Sequence, residues 1–219
     1  MAEKILSKVK IHTVYKLKSG NRVPSVTTIL GILNKPALTD WAWQMGTQGL
    51  DYKEVRDNAG DIGTLAHYLI LCDLKGETPD TSEYSPQDLE KAETCLIKYW
   101  DWLKGHKIEP FMLETPLISE EYQFGGTIDF FGKVDGQSTL LDFKTGKAIY
   151  DDFFYQLSAY EQLLTEAGQL IEITRILRIG RKEDEGFEER TTGKLDKQWQ
   201  LFLNCLNIYN LQKEIRRSK

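Results

Sequence analysis

Cysteine is scarce in this sequence, which contains only Cys72, Cys95 and Cys205, and none of them stands in a CxxC pair. Zinc ribbons and iron–sulfur sites need closely spaced cysteines, so the spacing counts against both kinds of site. Widely separated thiols favour a reduced compartment instead. Apolar runs of about 18 residues are also missing, and the sequence therefore predicts no membrane span.

An excess of basic residues is missing too, because the formal net charge is −5. A general nucleic-acid coat protein would be basic, so the charge counts against that class. It leaves open an enzyme that holds a nucleic acid in a local basic groove around an acidic metal site. The first ten residues contain no apolar signal core, so we expect a cytoplasmic protein of a bacterium or a phage-infected host cell.

The N-terminal half is mainly helical in pattern. Alternation over 10–18 predicts a strand, and Ser25 or Thr27 is positioned to cap a short helix that Pro36 would end. We expect further helices over 39–57, from a cap at Asp61 to Gly76, and from 85 to 105.

The C-terminal half predicts strands over 110–118, 125–134, 138–143, 171–180 and 186–192, with helices over 151–168 and 196–217. This order predicts an α/β fold: a central mixed β-sheet flanked by helices, with an N-terminal helical part. We expect one domain over 1–219, divided into an N-terminal part over 1–108 and a catalytic sheet core with a C-terminal helix over 109–219.

One strand of that sheet carries an acid and a base two residues apart, Asp142 and Lys144. Side chains at i and i+2 share a strand face, so Phe143 points to the other face. Asp129 lies across a short hairpin and approaches Asp142 if the strands pair. Two carboxylates at about 4 Å repel by roughly 4 kcal/mol at an effective dielectric of 20, and a dication between them outweighs that repulsion. Oxygen ligands of this kind favour Mg²⁺ or Mn²⁺, whereas a solvated Asp–Lys pair on an edge strand is the alternative.

Other polar residues recur at suggestive places. Gly63 stands one helical turn before His67, and Glu114 interrupts an otherwise apolar strand. Gln156 and Tyr160 are four residues apart on a predicted helix, so they share one of its faces.

Taken in order, these elements are GxxxH, an acidic strand residue, GxxD, DxK and QxxxY. The set resembles the PD-(D/E)XK nuclease superfamily in its RecB-like branch, which includes phage exonucleases and the mitochondrial genome maintenance exonucleases. The N-terminal stretch VPSVTTIL and the following DWAWQMG are similar to the same branch. The similarity covers roughly residues 22–165 and implies a restriction-endonuclease-like core. The iron–sulfur cysteines of some members are absent, and no proline stands next to Asp129.

The resemblance implies a role for each matching residue. Asp129, Asp142, the Phe143 carbonyl and His67 would be the metal ligands, and the histidine nitrogen suits Mn²⁺ better than Mg²⁺. Lys144 would orient or deprotonate the attacking water and stabilise charge on the phosphate. Gln156 and Tyr160 would brace Lys144 or touch substrate, and Glu114 would be an acid next to the ligands or at a second metal.

Contacts with DNA have several candidates. Ser25 and Thr27 are helix caps or phosphate contacts, and Trp41 and Tyr52 are core residues or stacking faces for unpaired bases. Arg178 lines a path for phosphates or a solvated edge.

The expected function is that of a divalent-metal-dependent DNA exonuclease acting on single strands or free ends. A metal-dependent endonuclease and a non-catalytic nucleic-acid-binding protein with a nuclease fold stay open as alternatives.

Overall fold

The computed structural model describes residues 13–218. From residue 26 onward its helices and strands follow one another in the predicted order. The helices are α1 (Val26–Leu30), α2 (Pro36–Thr47), α3 (Tyr52–Lys75), α4 (Pro86–Leu103), α5 (Asp151–Glu166) and α6 (Asp196–Arg217). The strands are β1 (Ile108–Ser119), β2 (Phe124–Val134), β3 (Gln137–Thr145), β4 (Ile173–Ile179) and β5 (Phe187–Thr192).

The strands form one sheet in the order β1-β2-β3-β4-β5. β3 and β4 run parallel, and the other neighbouring pairs are antiparallel. A parallel pair needs a long crossover, which α5 supplies. Asp135 and Gly136 close the β2–β3 hairpin with φ angles of 53° and 84°, the left-handed conformations that a tight two-residue turn requires. The predicted fold class, a mixed sheet flanked by helices with an N-terminal helical part, is confirmed.

Both faces of the sheet are covered. Leu140 packs on one side with residues of α1, α5 and α6, and Leu141 packs on the other with residues of α3 and α4. Since successive side chains of a strand alternate, β3 reads as an almost continuous buried run with a core on each side. Among the helices of residues 13–218, none combines the length and the apolar character that crossing a membrane requires.

Cap signals located three helix ends correctly. The hydroxyls of Ser25 and Ser85 accept from the backbone N–H groups of Thr28 and Asp88, and Gly76 ends α3 with a φ of 67°. These residues supply the partners and the left-handed turn that helix ends need.

Other boundaries were predicted wrongly. Pro36 does not end α1, which stops at Leu30, but begins α2, where its missing N–H costs nothing. Asp61 is not a cap, because it lies inside α3, which begins at Tyr52 and is capped by Asp51. Of the strand expected over 10–18, residues 10–12 lie outside the described part, and the rest forms only a single bridge between Lys16 and Arg22.

Candidate active site

Three acids from three neighbouring strands fall in one row across the sheet. Glu114 and Asp129 lie between the β1–β2 pairs Leu113 with Phe130 and Thr115 with Ile128, which brings them opposite each other. The β2–β3 register, continued by one residue, sets Asp129 level with Asp142. The fold therefore brings together acids that lie 13 to 28 positions apart in the sequence, as the strand pattern predicts for Asp129 and Asp142.

The β2–β3 ladder stops where this row begins. Its last pair is Phe130 with Leu141, and beyond it the backbone N–H of Phe143 donates to Asp129 Oδ2 at 2.9 Å. A side-chain carboxylate has taken the place of a backbone carbonyl as the acceptor. The separation of the strands thus gives Asp129 and Asp142 room for polar side chains inside a sheet that is otherwise apolar.

Asp142 is almost completely buried, with 1% of its surface exposed, and pairs with Lys144 through Oδ2. Its other oxygen, Oδ1, is buried and accepts no hydrogen bond from any residue that the structure describes. Burial raises the pKa of Asp142, the Lys144 ammonium opposes that rise, and the charge of Asp129 adds to it. A buried acceptor without a donor is uncommon in proteins, and a bound water or ion is one explanation for it.

Lys144 and Asp142 face α5, as strand alternation predicts. The Lys144 ammonium lies 5.1 Å from the centre of the Phe153 ring on that helix, a cation–π distance. Sequence reasoning missed Phe153, although it lies three residues before Gln156 on a helix that was itself predicted. Lys144 is therefore held between a carboxylate and an aromatic face.

Gln156 and Tyr160 meet as their spacing predicts. Gln156 Nε2 donates to the Tyr160 hydroxyl at 2.8 Å. Burial raises the pKa of Tyr160, and the charges of Asp142 and Asp129 raise it further, which places this phenol among the acids as a neutral group. The pair thus lines the α5 side of the site.

His67 approaches from the opposite face of the sheet. Its ring meets the Phe143 ring edge-on at 6.0 Å between centres, and Nδ1 lies 3.6 Å from Asp129 Oδ2. Gly63, one turn earlier on α3, explains how the helix comes so near, because a Cβ added there would lie 2.7 Å from Thr145 Oγ1. The GxxxH spacing therefore combines a contact glycine with a histidine that reaches the row of acids.

Glu114 has a φ of 42°, a left-handed conformation that is rare and strained for a side chain of this size. Burial raises the pKa of Glu114, and the charge of Asp129 adds to the rise. A cavity of about 10 Å³, room for about one water molecule, is lined by His67, Leu71, Leu74, Glu114, Asp129 and Phe143. Glu114 thus stands beside His67, Asp129 and Phe143, the residues predicted to hold the metal on this side.

The donor set suits a hard divalent cation in chemical type. Asp142 Oδ1 is an unpaired buried oxygen, and Asp129 adds a second carboxylate in the same row. Within the described range, however, no three Cys, His, Asp or Glu side chains are grouped closely enough to hold an ion as they stand. The Phe143 carbonyl stays a predicted ligand.

Two adjacent glycines on β2 make room for tyrosines, a signal that sequence reasoning did not use. A Cβ on Gly125 would lie 2.4 Å from the ring of Tyr15, and one on Gly126 would lie 2.5 Å from the ring of Tyr160. The Tyr15 hydroxyl also shares a hydrogen bond of 2.8 Å with Thr127 Oγ1. The GxxD spacing before Asp129 therefore reflects close packing against aromatic rings.

Four of the five predicted DNA contacts lie on the N-terminal part. Ser25 caps α1, and its hydroxyl also hydrogen-bonds Thr27 Oγ1 at 3.0 Å, so both hydroxyls are already engaged. Trp41 and Tyr52 meet edge to face with 6.5 Å between ring centres, and Tyr52 is 38% exposed. Trp43, between them in sequence, is 70% exposed. Tyr52 and Trp43 thus expose aromatic surface outside the core, and their stacking on bases stays a prediction.

Arg178 differs from its predicted role at a solvated edge or phosphate path. It is 7% exposed, and its Nη1 donates to the backbone carbonyls of Gly146 and Glu185. The guanidinium is therefore engaged inside the protein, next to Lys144 in the β3–β4 register.

No family model and no curated protein matches the chain. Among solved structures, a candidate exonuclease from Eubacterium rectale is 12% identical with a TM-score of 0.47, over 71% of this chain and 66% of that one. An alkaline exonuclease from Laribacter hongkongensis is 13% identical with a TM-score of 0.35, over 70% of this chain and 84% of that one. This chain thus spans 66% of the first protein's length, and similarity at this level assigns no family.

Proposed function

We propose that this protein is a divalent-metal-dependent DNA exonuclease that hydrolyses phosphodiester bonds on single strands or free ends. The observation that carries the proposal is the buried Asp142, which pairs with Lys144 through one oxygen and keeps the other without a donor among the described residues. A purely structural ion pair has no need of that second, unsatisfied oxygen, because burying it costs free energy.

Asp129 and Asp142 would hold the cation, with His67 and the Phe143 carbonyl as further ligands. When bound, Mg²⁺ or Mn²⁺ supplies charge neutralisation at the phosphate and a water of lowered pKa. Asp129 also accepts from the Phe143 N–H, which fixes the carboxylate against β3.

Lys144 is the group that would meet the water and the phosphate. Its side chain is 18% exposed, and its ammonium lies between Asp142 and the Phe153 ring, which hold it in place. From there it would orient the attacking water and donate to a phosphate oxygen as negative charge grows. Tyr160, kept neutral by burial, and Gln156 would hold the α5 side of the site.

The exposed aromatics would guide unpaired DNA. Trp43 and Tyr52 present rings outside the core, and stacking on such rings tolerates any base. Lys35, directly before α2, pairs with Asp152 of α5 at 2.5 Å, one residue from the Phe153 that contacts Lys144. The start of α2 is thereby tied to the helix that flanks the site.

The decisive experiment is digestion of oligonucleotides labelled at the 5′ or the 3′ end, with Mg²⁺ or Mn²⁺ present. We expect stepwise shortening by the wild type and its loss in Lys144→Ala. Nicking of a closed circular DNA would identify an endonuclease instead. If the wild-type protein is inert with both metals on linear and circular substrates, the proposed enzymatic function is contradicted.

A second candidate is a nucleic-acid-binding protein without turnover. The observation that favours it is that, in residues 13–218, no three metal-ligating side chains are grouped for an ion as they stand. Calorimetric titration with Mn²⁺ separates the two. Binding that Asp142→Asn abolishes supports the enzyme, whereas no binding, or binding that Asp142→Asn leaves unchanged, supports the second candidate.

A further inference from the structure

Arg178 is a buried cation beside the proposed catalytic lysine. It lies on β4 directly level with Lys144 on the parallel strand β3, and 7% of its surface is exposed. Level residues on neighbouring strands share a face, so the two cations start from the same side of the sheet. A buried arginine needs partners for its donors, and the identity of those partners indicates what it does.

The partners are backbone groups of two separate loops. Nη1 donates to the carbonyl of Gly146 at 3.2 Å and to that of Glu185 at 2.7 Å. Nε lies 3.5 Å from Glu188 Oε2 but, within residues 13–218, is buried without a hydrogen bond. One guanidinium therefore ties the loop that follows β3 to the loop between β4 and β5.

The loop after β3 carries the chain from Lys144 to α5. Thr145 is packed against α3 at Gly63, where an added Cβ would lie only 2.7 Å from Thr145 Oγ1. Arg178 holds the next residue, Gly146, from the β4 side. Five residues after Gly146 α5 begins, and its third residue is Phe153, whose ring contacts the Lys144 ammonium.

We propose that Arg178 is a positioning residue, which fixes the Gly146 turn and thereby the direction of Lys144 and the start of α5. This role rests on the proposed function, in which Lys144 meets the water and the phosphate. Gly146 has more backbone freedom than any other residue type would have there, so the turn depends on an external anchor. A misplaced Lys144 lowers the rate of the chemical step while leaving remote substrate contacts intact.

The same strand offers a matched control, Arg175. It is also buried, at 8% exposed, but it pairs with Glu189 at 2.5 Å on the opposite face of the sheet. Each position receives one conservative and one apolar substitution. The test variants are Arg178→Lys and Arg178→Met, and the controls are Arg175→Lys and Arg175→Met. Every variant loses one buried guanidinium. The two pairs of variants differ in position, because only Arg178 lies level with Lys144.

Two measurements are made on all four variants: amide hydrogen exchange of residues 145–150, and kcat and KM on a single-stranded oligonucleotide. In the Arg178 variants we expect faster exchange of that segment and a kcat roughly ten- to a hundredfold lower with KM unchanged within about twofold. The Arg175 variants should show neither effect. If Arg178→Met fails to fold, Arg178→Lys, which keeps the charge, carries the comparison.

Unchanged exchange over 145–150 in the Arg178 variants, or an equal increase in the Arg175 variants, overturns the role of Arg178. So does a loss that appears in KM alone, since that would mark Arg178 as a substrate contact. An inert wild type would overturn the proposed function instead, and it would leave the exchange comparison to decide whether Arg178 fixes the turn.

Discussion

The two ends of the β2–β3 pair contain similar polar residues in opposite conditions. At the hairpin end, Asp135 accepts from the Lys107 N–H at 2.8 Å and pairs with His106 at 2.7 Å. At the open end, Asp142 keeps a buried oxygen for which the described residues offer no donor. The carboxylate at the hairpin end therefore finds its hydrogen-bond partners within the fold, whereas a carboxylate oxygen at the open end lacks a donor among the described residues. An unsatisfied acceptor, more than the presence of acids, distinguishes a site from a structural cluster.

The buried arginines of β4 repeat the contrast. Arg175 is neutralised by Glu189, which also accepts from the Trp102 indole at 3.0 Å. Arg178 has Glu188 Oε2 3.5 Å from its Nε, but the hydrogen bonds of its Nη1 go to the backbone carbonyls of Gly146 and Glu185. Arg175 therefore joins β4 to β5 and α4 through Glu189, whereas Arg178 joins two loops next to Lys144.

The largest effect should come from the open end. Lys144→Ala removes the group that meets water and phosphate, and we expect kcat to fall about a hundredfold to ten-thousandfold. The check is single-turnover digestion of labelled DNA. Asp135→Asn is the control, since it alters an acid of the hairpin end, and its kcat should stay near that of the wild type. Comparable losses in both variants would contradict the distinction between the two ends.

Breaking the Arg175–Glu189 pair should cost stability and leave the chemistry unchanged. Glu189→Ala deprives Arg175 and the Trp102 indole of their acceptor, and we expect the free energy of unfolding to fall by roughly 2 kcal/mol. Urea unfolding measures the loss, and kcat under native conditions should be unchanged. A kcat that falls in proportion to stability would show that this pair is coupled to the site around Lys144.

Asp142 should also leave a signature in the pH dependence of stability. Burial raises the pKa of Asp142 from 3.8 to about 6. The folded state then binds a proton more tightly than the unfolded state, so the free energy of unfolding falls as pH rises through that window.

Urea unfolding at several pH values between these two pKa values, with a chelator present, measures this slope. Asp142→Asn has no titrating group at this position, and its slope should be shallower. An identical slope in the variant would show that Asp142 does not titrate in this range.

The smallest effect should come from the exposed aromatics. Trp43→Ala removes a stacking face and should raise KM for single-stranded DNA by roughly fivefold, about 1 kcal/mol, with kcat unchanged. Trp100→Ala is the matched control, because that tryptophan is 42% exposed but donates to Asp73 on α3. Equal changes in KM for both variants would assign the effect to general loss of surface area.

Local signals in the sequence were reliable where one residue decides one boundary. Ser85 before Pro86 and Gly76 after α3 marked helix ends because caps act through neighbouring backbone groups. Asp61 was misplaced as a cap because α3 continues through Gly60 and Gly63. Gly63 is explained by its contact with Thr145, a neighbour that is distant in sequence. Phe153, Tyr15 and the brace by Arg178 were missed for the same reason.

The sequence alone determined the mixed α/β fold and the shared strand face of Asp142 and Lys144, because periodicity and alternation are local properties of the chain. Tertiary structure decided that the strands part beside Asp129, that Asp142 keeps a buried oxygen without a donor among the described residues, and that Arg178 turns inward. Those features depend on which distant groups meet in space, and burial sets their energies only once the chain has folded.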